Sequence, residues 1–90
     1  MKRYYVVFTG QVQGVGFRWT LQRIAISQNI TGWVRNMSND NVEAQLQGEN
    51  LDFNQLYHKL ANDNRWIIID DYSIQEIPVV PDEKKFRVVF

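Results

Sequence analysis

The chain has 90 residues, of which 44% are hydrophobic and 22% are charged, and its ten acidic side chains balance its ten basic ones. A chain of this length and composition closes one hydrophobic core, so we expect a single globular domain over residues 1–90. Zero net charge predicts no nucleic-acid or membrane partner. The absence of cysteine and the single histidine, His58, exclude disulfides, thiolate metal sites and imidazole clusters.

The N-terminal segment, MKRYYVVFTG, does not have the pattern of a signal peptide. Its apolar run is very short, and no small-residue cleavage site follows it. No stretch of the chain reaches the length that is needed to span a membrane. We therefore expect a cytoplasmic protein.

The first half of the chain predicts a strand, a helix and a second strand. β-Branched and aromatic residues from Arg3 to Thr9 are typical of a strand that enters a loop at Gly10. An apolar stripe at positions i, i+4, i+7 and i+8 then predicts a helix that ends near Asn29. The residues of this stripe are Phe17, Leu21, Ile24 and Ala25. Gly32 to Met37 has the composition of the second strand.

A hairpin and a second helix follow. Apolar and polar residues alternate from Val42 to Gln47, which predicts a third strand with one face toward solvent. Ser38 to Asn41 connects it to the second strand. Apolar residues recur on one side of the segment from Leu51 to Asn62, which predicts an amphipathic helix with Asn50 as its N-cap.

The last third of the chain favours extended structure. Trp66 to Ile77 predicts either one strand or two strands that are broken near Asp70. Two prolines then interrupt the chain at Pro78 and Pro81, because proline cannot donate to a sheet. Apolar residues alternate along a last strand: Phe86, Val88 and Phe90.

The first six of these elements have the order βαββαβ, and the last strand follows them. Two helices cannot cover both faces of a sheet with four or five strands, so the helices are expected on one face. The predicted fold class is α+β, a ferredoxin-like two-layer sandwich with a mostly antiparallel sheet.

The loop between the first strand and the first helix has the features of an anion site. Gly10, Gly14 and Gly16 allow positive φ angles that turn backbone N–H groups inward, and the following helix presents its unpaired amides there. Arg18 adds a guanidinium that can bind two phosphoryl oxygens. The glycine spacing matches neither a Walker loop nor a dinucleotide fingerprint. Spacing alone leaves open a tight connection with Arg18 as a solvated first-turn residue.

Two motifs together resemble those of one known family. The stretch GQVQGVGFR, from Gly10 to Arg18, resembles the signature G-x-V-Q-G-V-x-F-R of the acylphosphatase family. The stretch GWVRN, from Gly32 to Asn36, resembles its second signature at the expected separation. One departure is Asp40, which stands where the family pattern usually has a hairpin glycine. Because Asp tolerates left-handed backbone, we expect the turn to form at a modest cost in stability.

The resemblance implies a metal-independent hydrolase that splits acyl phosphates into a carboxylate and inorganic phosphate, with no cofactor. It implies Arg18 and Asn36 as the catalytic residues, with Asn36 orienting the attacking water. It implies phosphate binding by loop amides and one guanidinium: Gln11, Val12, Gln13, Gly14, Val15, Gly16 and Arg18. The expected partner is a small-molecule acyl phosphate, and the protein is expected to be a monomer.

Two other classes of function compete with this hydrolase, and the residues argue against the first of them. RNA-recognition domains share the βαββαβ order, although they need solvent-facing aromatic and basic residues on a central strand, where this chain has Val42 to Gln45. A phosphate sensor or docking domain without turnover would keep the same fold and pocket.

Several residues that could carry chemistry are interpreted structurally. His58 is predicted on the polar side of the second helix, and Asp70 and Asp71 lack a third metal ligand at useful spacing. These two aspartates are expected to end or bulge a strand. The three tryptophans are expected in the core or at its rim: Trp19, Trp33 and Trp66.

Overall fold

The computed structural model describes all 90 residues, from Met1 to Phe90. In chain order the elements are β1 (Lys2–Gln11), α1 (Phe17–Ser27), β2 (Thr31–Asn36), β3 (Val42–Gly48), α2 (Phe53–Asp63), β4 (Ile68–Ile77) and β5 (Phe86–Val89). The strands form one five-stranded sheet in the order β4-β1-β3-β2-β5. All pairings are antiparallel except that of β2 with β5. The predicted ferredoxin-like fold is confirmed, with β5 as a fifth strand at the edge beside β2.

A single core of 16 buried apolar residues joins both helices to the sheet. All four residues of the predicted helix stripe, which runs from Phe17 to Ala25, belong to it. The rings of Phe8 on β1 and Phe17 on α1 lie 5.0 Å apart. Leu56 and Leu60 anchor α2 in the same core. Each large apolar side chain that is removed from water in this way stabilises the fold by about 1.5–3 kcal/mol.

The predicted solvent-facing side of β3 is largely covered, which corrects the sequence interpretation. Glu43 and Gln47 are only 8% and 2% exposed. The side-chain amide of Gln47 donates to the Val80 carbonyl, and the Val80 N–H donates to the oxygen of the same side chain. Arg3, itself 2% exposed, donates to Gln47 and to both carboxylate oxygens of Glu83. The loop between β4 and β5 therefore folds back over this face.

The second helix begins later than predicted. Its N-cap is Asp52 and not Asn50, because the Asp52 carboxylate accepts a hydrogen bond of 3.2 Å from the Gln55 N–H. The first helix ends at Ser27, and Asn29 follows with a φ of 57°. Such a left-handed residue is a common way to end a helix.

The segment from Trp66 to Ile77 contains one strand, β4, which resolves the alternatives left open by the sequence. Thr9 pairs with Asp71 while Gly10 pairs with Ile69, so the register shifts by one residue at this point. Asp70 is the extra residue of this bulge, as predicted, whereas Asp71 pairs regularly with Thr9 inside the strand, so the prediction is wrong for Asp71.

None of the three tryptophans lies in the core. Trp33 is partly buried on β2, but it alternates with the core residue Val34 and does not pack against the core, so the prediction that it lies in the core or at its rim is wrong. Trp19 and Trp66 are 64% and 59% exposed, so the prediction that they fill the core or its rim is wrong for both. His58 is exposed on α2, as predicted. Neither helix has the length and apolar character that crossing a membrane would require.

Candidate active site

The candidate site lies at one end of the sheet. β1 and β2 both run antiparallel to β3, and β5 runs parallel to β2. The C-terminal ends of β1, β2 and β5 therefore lie at this same end of the sheet. Their last residues are Gln11, Asn36 and Val89. β3 begins at the same edge with Val42, and β4 begins there with Ile68, which pairs with Gln11. The topology therefore brings the two sequence motifs together.

The loop between β1 and α1 presents free backbone donors. None of the N–H groups of residues 12–16 donates a hydrogen bond to an acceptor within the protein. Gly14 and Gly16 have φ angles of 73° and 80°, in the left-handed region that glycine adopts without strain. Gly16 is also the N-cap of α1 and offers no side-chain cap to the helix. The first-turn amides and the positive end of the helix dipole add to the same positive region.

Three side-chain amides fix this loop from two sides. Gln13 donates bonds of 2.7 Å to the carbonyls of both Met37 and Asn41, in the turn after β2. On the other side, Gln11 donates to the Trp66 carbonyl at 2.6 Å. Asn64 donates to the Val15 carbonyl at 2.9 Å. The loop is therefore held in place before any ligand binds.

Gly10 is needed for the close approach of β1 to β4. Its φ is 125°, and a Cβ atom at this position would lie 2.2 Å from the Ile68 carbonyl oxygen and 2.7 Å from the Asp70 nitrogen. Both contacts are with backbone, which cannot rotate away as a side chain could. Any other residue would therefore displace the start of β4 from the loop.

Arg18 has a free positive charge beside the loop. It is the second residue of α1, and it forms no ion pair, whereas Arg3, Arg23 and Arg35 are each paired with a carboxylate. Its guanidinium carbon lies 4.7 Å from the centre of the Phe90 ring, just beyond the end of β5. A cation–π contact of this kind orients the guanidinium without neutralising it.

Asn36 carries an unpaired buried acceptor. Its Oδ1 is the single buried side-chain oxygen or nitrogen in the chain that has no hydrogen-bond partner. Buried polar atoms are almost always paired in folded proteins, and an exception requires an explanation. The exception falls at the last residue of β2, at the same end of the sheet as the loop.

The turn after Asn36 forms despite the missing glycine. Asp40 adopts a φ of 71°, and the Met37 N–H donates to the Asn41 carbonyl at 2.8 Å. The Asn41 N–H donates to the side-chain oxygen of Asn39. This bears out the expectation that Asp tolerates the left-handed position.

No acidic or histidine side chain hydrogen-bonds to the loop, to Arg18 or to Asn36. The two carboxyl groups with shifted pKa values, Glu43 and Glu83, lie elsewhere, on the face of the sheet that the loop between β4 and β5 covers. Burial raises the pKa of Glu43, but hydrogen bonds from Tyr5 and Arg35 and the charge of Arg35 outweigh it and hold that pKa below its ordinary value. The candidate site therefore consists of amides and one guanidinium.

The sequence predicted most of these residues but not their supports. Val12 is 1% exposed and can offer a ligand only its backbone. The Gln13 side-chain amide donates two bonds that fix the loop, so Gln13 too offers a ligand only its backbone. The Gln11 side chain donates one bond, to the Trp66 carbonyl. Asn64 and Phe90 were not predicted to contribute, since their contacts with this region cross 49 and 72 positions of the sequence. No local pattern marks such long-range partners.

Comparison with known proteins identifies one family. The family model "Acylphosphatase" matches residues 4–88. The acylphosphatase of Clostridium acetobutylicum is 36% identical over 90 residues, which cover all of this chain and 99% of that protein. The acylphosphatase of Clostridium beijerinckii is 34% identical, and the match covers both chains completely.

A solved structure shows the same architecture. The crystal structure of acylphosphatase from Bacillus subtilis has a TM-score of 0.89 and 28% identity to this chain, with both chains covered completely. The fold and these relatives thus define a small α+β hydrolase domain. The chain belongs to the acylphosphatase family, which confirms the identification made from its two motifs.

Proposed function

We propose that this chain hydrolyses acyl phosphates, with the phosphoryl group bound by the amides of residues 12–16 and the guanidinium of Arg18. The observation that carries this function is the set of five unpaired N–H groups beside an unpaired cation and the unpaired Oδ1 of Asn36. Donors of this kind match phosphoryl oxygens, and the lone acceptor matches a water molecule.

The chemistry of an acyl phosphate suits a site without acids or bases. The leaving group is a carboxylate whose conjugate acid has a pKa of roughly 4 to 5, so it departs at neutral pH without a proton donor. Phosphoryl transfer passes through a loose transition state with negative charge on the equatorial oxygens. Fixed N–H groups and the Arg18 guanidinium stabilise that charge, and they need no reorganisation during the reaction.

Asn36 is assigned the role of orienting the attacking water. Its Oδ1 accepts a hydrogen bond from the attacking water and turns the oxygen lone pair toward phosphorus. The new bond forms between the water oxygen and phosphorus while the bond from phosphorus to the acyl oxygen breaks. An amide takes no proton near pH 7, so the proton of the water passes to a phosphoryl oxygen of the substrate. The products are a carboxylate and inorganic phosphate.

The remaining expectations belong to this proposal. The positive charge comes from Arg18 and the helix N-terminus, so the reaction needs no added metal or cofactor. The expected protein is a cytoplasmic monomer that acts on a small molecule. The expected absence of a nucleic-acid partner is supported by the zero net charge and by the covered face of the sheet, where Glu43 is 8% exposed and is bonded to Tyr5 and Arg35.

The test is hydrolysis of benzoyl phosphate, a chromophoric acyl phosphate, in excess EDTA. The wild type is compared with Arg18→Ala and Asn36→Ala, each checked for native folding by circular dichroism. We expect metal-independent turnover that falls at least about 100-fold in each variant. A wild type that hydrolyses nothing, while inorganic phosphate still raises its Tm, would replace the hydrolase with a phosphate sensor.

A further inference from the structure

The fold indicates on which side of phosphorus the acyl group of the substrate lies. In an in-line displacement the attacking water and the leaving group lie on opposite sides of phosphorus. If Asn36 holds the water, the acyl group lies on the side of the loop away from Asn36. This placement of the acyl group rests on the proposed function, since it uses the same phosphate position.

The sheet order distinguishes the two sides of the loop. β1, which leads into the loop, lies between β4 and β3, and β2 with Asn36 lies beyond β3. Gln13 connects the loop to the turn on the Asn36 side. Gln11 and Asn64 connect it to the segment between α2 and β4 on the other side. The acyl group therefore leaves toward the segment of residues 64–68.

That segment presents exposed apolar side chains on a rigid backbone. Trp66 is 59% exposed and Ile68 is 52% exposed, while Ile67 between them is buried at 5%. The Trp66 N–H donates to the side-chain oxygen of Asn64 at 2.9 Å, and its carbonyl accepts from Gln11. The Arg65 guanidinium lies 4.9 Å from the centre of the indole ring. A large aromatic ring is thus held in water by bonds that also position the phosphate loop.

We propose that Trp66 and Ile68, with Arg65 stacked on the indole ring, form an acyl subsite that favours flat, apolar acyl groups. Aromatic groups gain by stacking in offset or tilted geometry, and contact with Ile68 removes further apolar surface from water. A methyl group, as in acetyl phosphate, is too small to stack. The subsite therefore predicts a preference for aromatic over short aliphatic acyl phosphates.

The test measures kcat/KM for benzoyl phosphate and acetyl phosphate in the wild type, Trp66→Ala and Trp66→Phe. We expect the ratio of the two values to fall by roughly 2- to 12-fold in Trp66→Ala, as the loss of one aromatic contact implies. Trp66→Phe keeps a flat ring and should restore at least half of the preference on a logarithmic scale. This second variant keeps the test decisive if the alanine variant unfolds.

The matched control is Trp19→Ala. Trp19 is also an exposed tryptophan, at 64%, with an arginine over its ring, but it makes no hydrogen bond to the loop. Its removal should leave the substrate ratio unchanged. An equal loss with both substrates in Trp66→Ala, or the same shift in Trp19→Ala, overturns the subsite while the hydrolase stands. A wild type that hydrolyses neither substrate overturns the subsite together with the proposed function.

Discussion

At the scale of single residues, the site combines an unpaired cation with an unpaired buried oxygen. Arg3 and Glu83 satisfy each other on the covered face of the sheet, with the arginine 2% exposed. Arg18 has no such partner, and Asn36 keeps a buried oxygen without a donor. An unpaired buried polar atom costs stability, so the Asn36 oxygen, at the same end of the sheet as the partly buried Arg18, fits a site for a polar ligand.

The geometry of the Arg18 side chain leads to a prediction. Arg18→Lys keeps the positive charge but replaces a planar fork with a single ammonium group, so it loses paired contacts with two phosphoryl oxygens. We expect kcat/KM for benzoyl phosphate to fall by at least about 10-fold, and by less than the roughly 100- to 1,000-fold loss expected for Arg18→Ala. Steady-state kinetics at neutral pH measures both.

Arg23→Lys is the matched control for this prediction. Arg23 is on the same helix, but it is paired with Asp63 and stacked on Trp19. Its replacement should leave kcat/KM within about twofold, since exposed pairs contribute little. Full activity in Arg18→Lys would contradict a bidentate role for the arginine.

At the scale of elements, the N-cap of α2 distinguishes Asp52 from Asn50, although both residue types are favoured at an N-cap. Asp52→Ala removes the acceptor of the Gln55 N–H and should lower the free energy of unfolding by about 0.5–2 kcal/mol. Asn50→Ala removes no side-chain bond and should change it by less than about 0.5 kcal/mol. Urea denaturation at pH 7 measures both values, and an equal effect of the two changes would place the cap elsewhere.

At the scale of the whole molecule, acid stability depends on the covered face. Burial raises the pKa of Glu83, but hydrogen bonds from Arg3 and Thr31 and the charges of Arg3 and Arg87 outweigh it and hold that pKa below its ordinary value of 4.5. A carboxyl group of this kind stabilises the fold above its unfolded pKa. That stability is lost as the pH falls through the lower folded pKa.

The free energy of unfolding should therefore decrease when the pH is lowered from 7 to 3. In Glu83→Gln the decrease should be smaller, because one of the responsible carboxyl groups is gone. The exposed Glu76 has no hydrogen-bond partner, so Glu76→Gln should retain the decrease of the wild type. Urea midpoints at the two pH values measure the effect. Identical decreases in Glu83→Gln and the wild type would exclude Glu83 as a source.

The sequence by itself determined the fold class, the family and the two motifs. Local patterns were sufficient because the apolar stripe of α1 and the glycines of the loop each lie within one short continuous stretch of the chain. The roles of Arg18 and Asn36 remain predictions, although the fold does bring their two motifs to one edge of the sheet.

Only the tertiary structure decided which side chains support that edge and which face of β3 meets water. Asn64 reaches Val15 and Phe90 reaches Arg18 across distant parts of the chain. Gln47 is buried because the loop between β4 and β5 returns to cover it. Contacts of this kind depend on how separate elements pack. The spacing of residues along one element does not indicate which distant segment will cover that element.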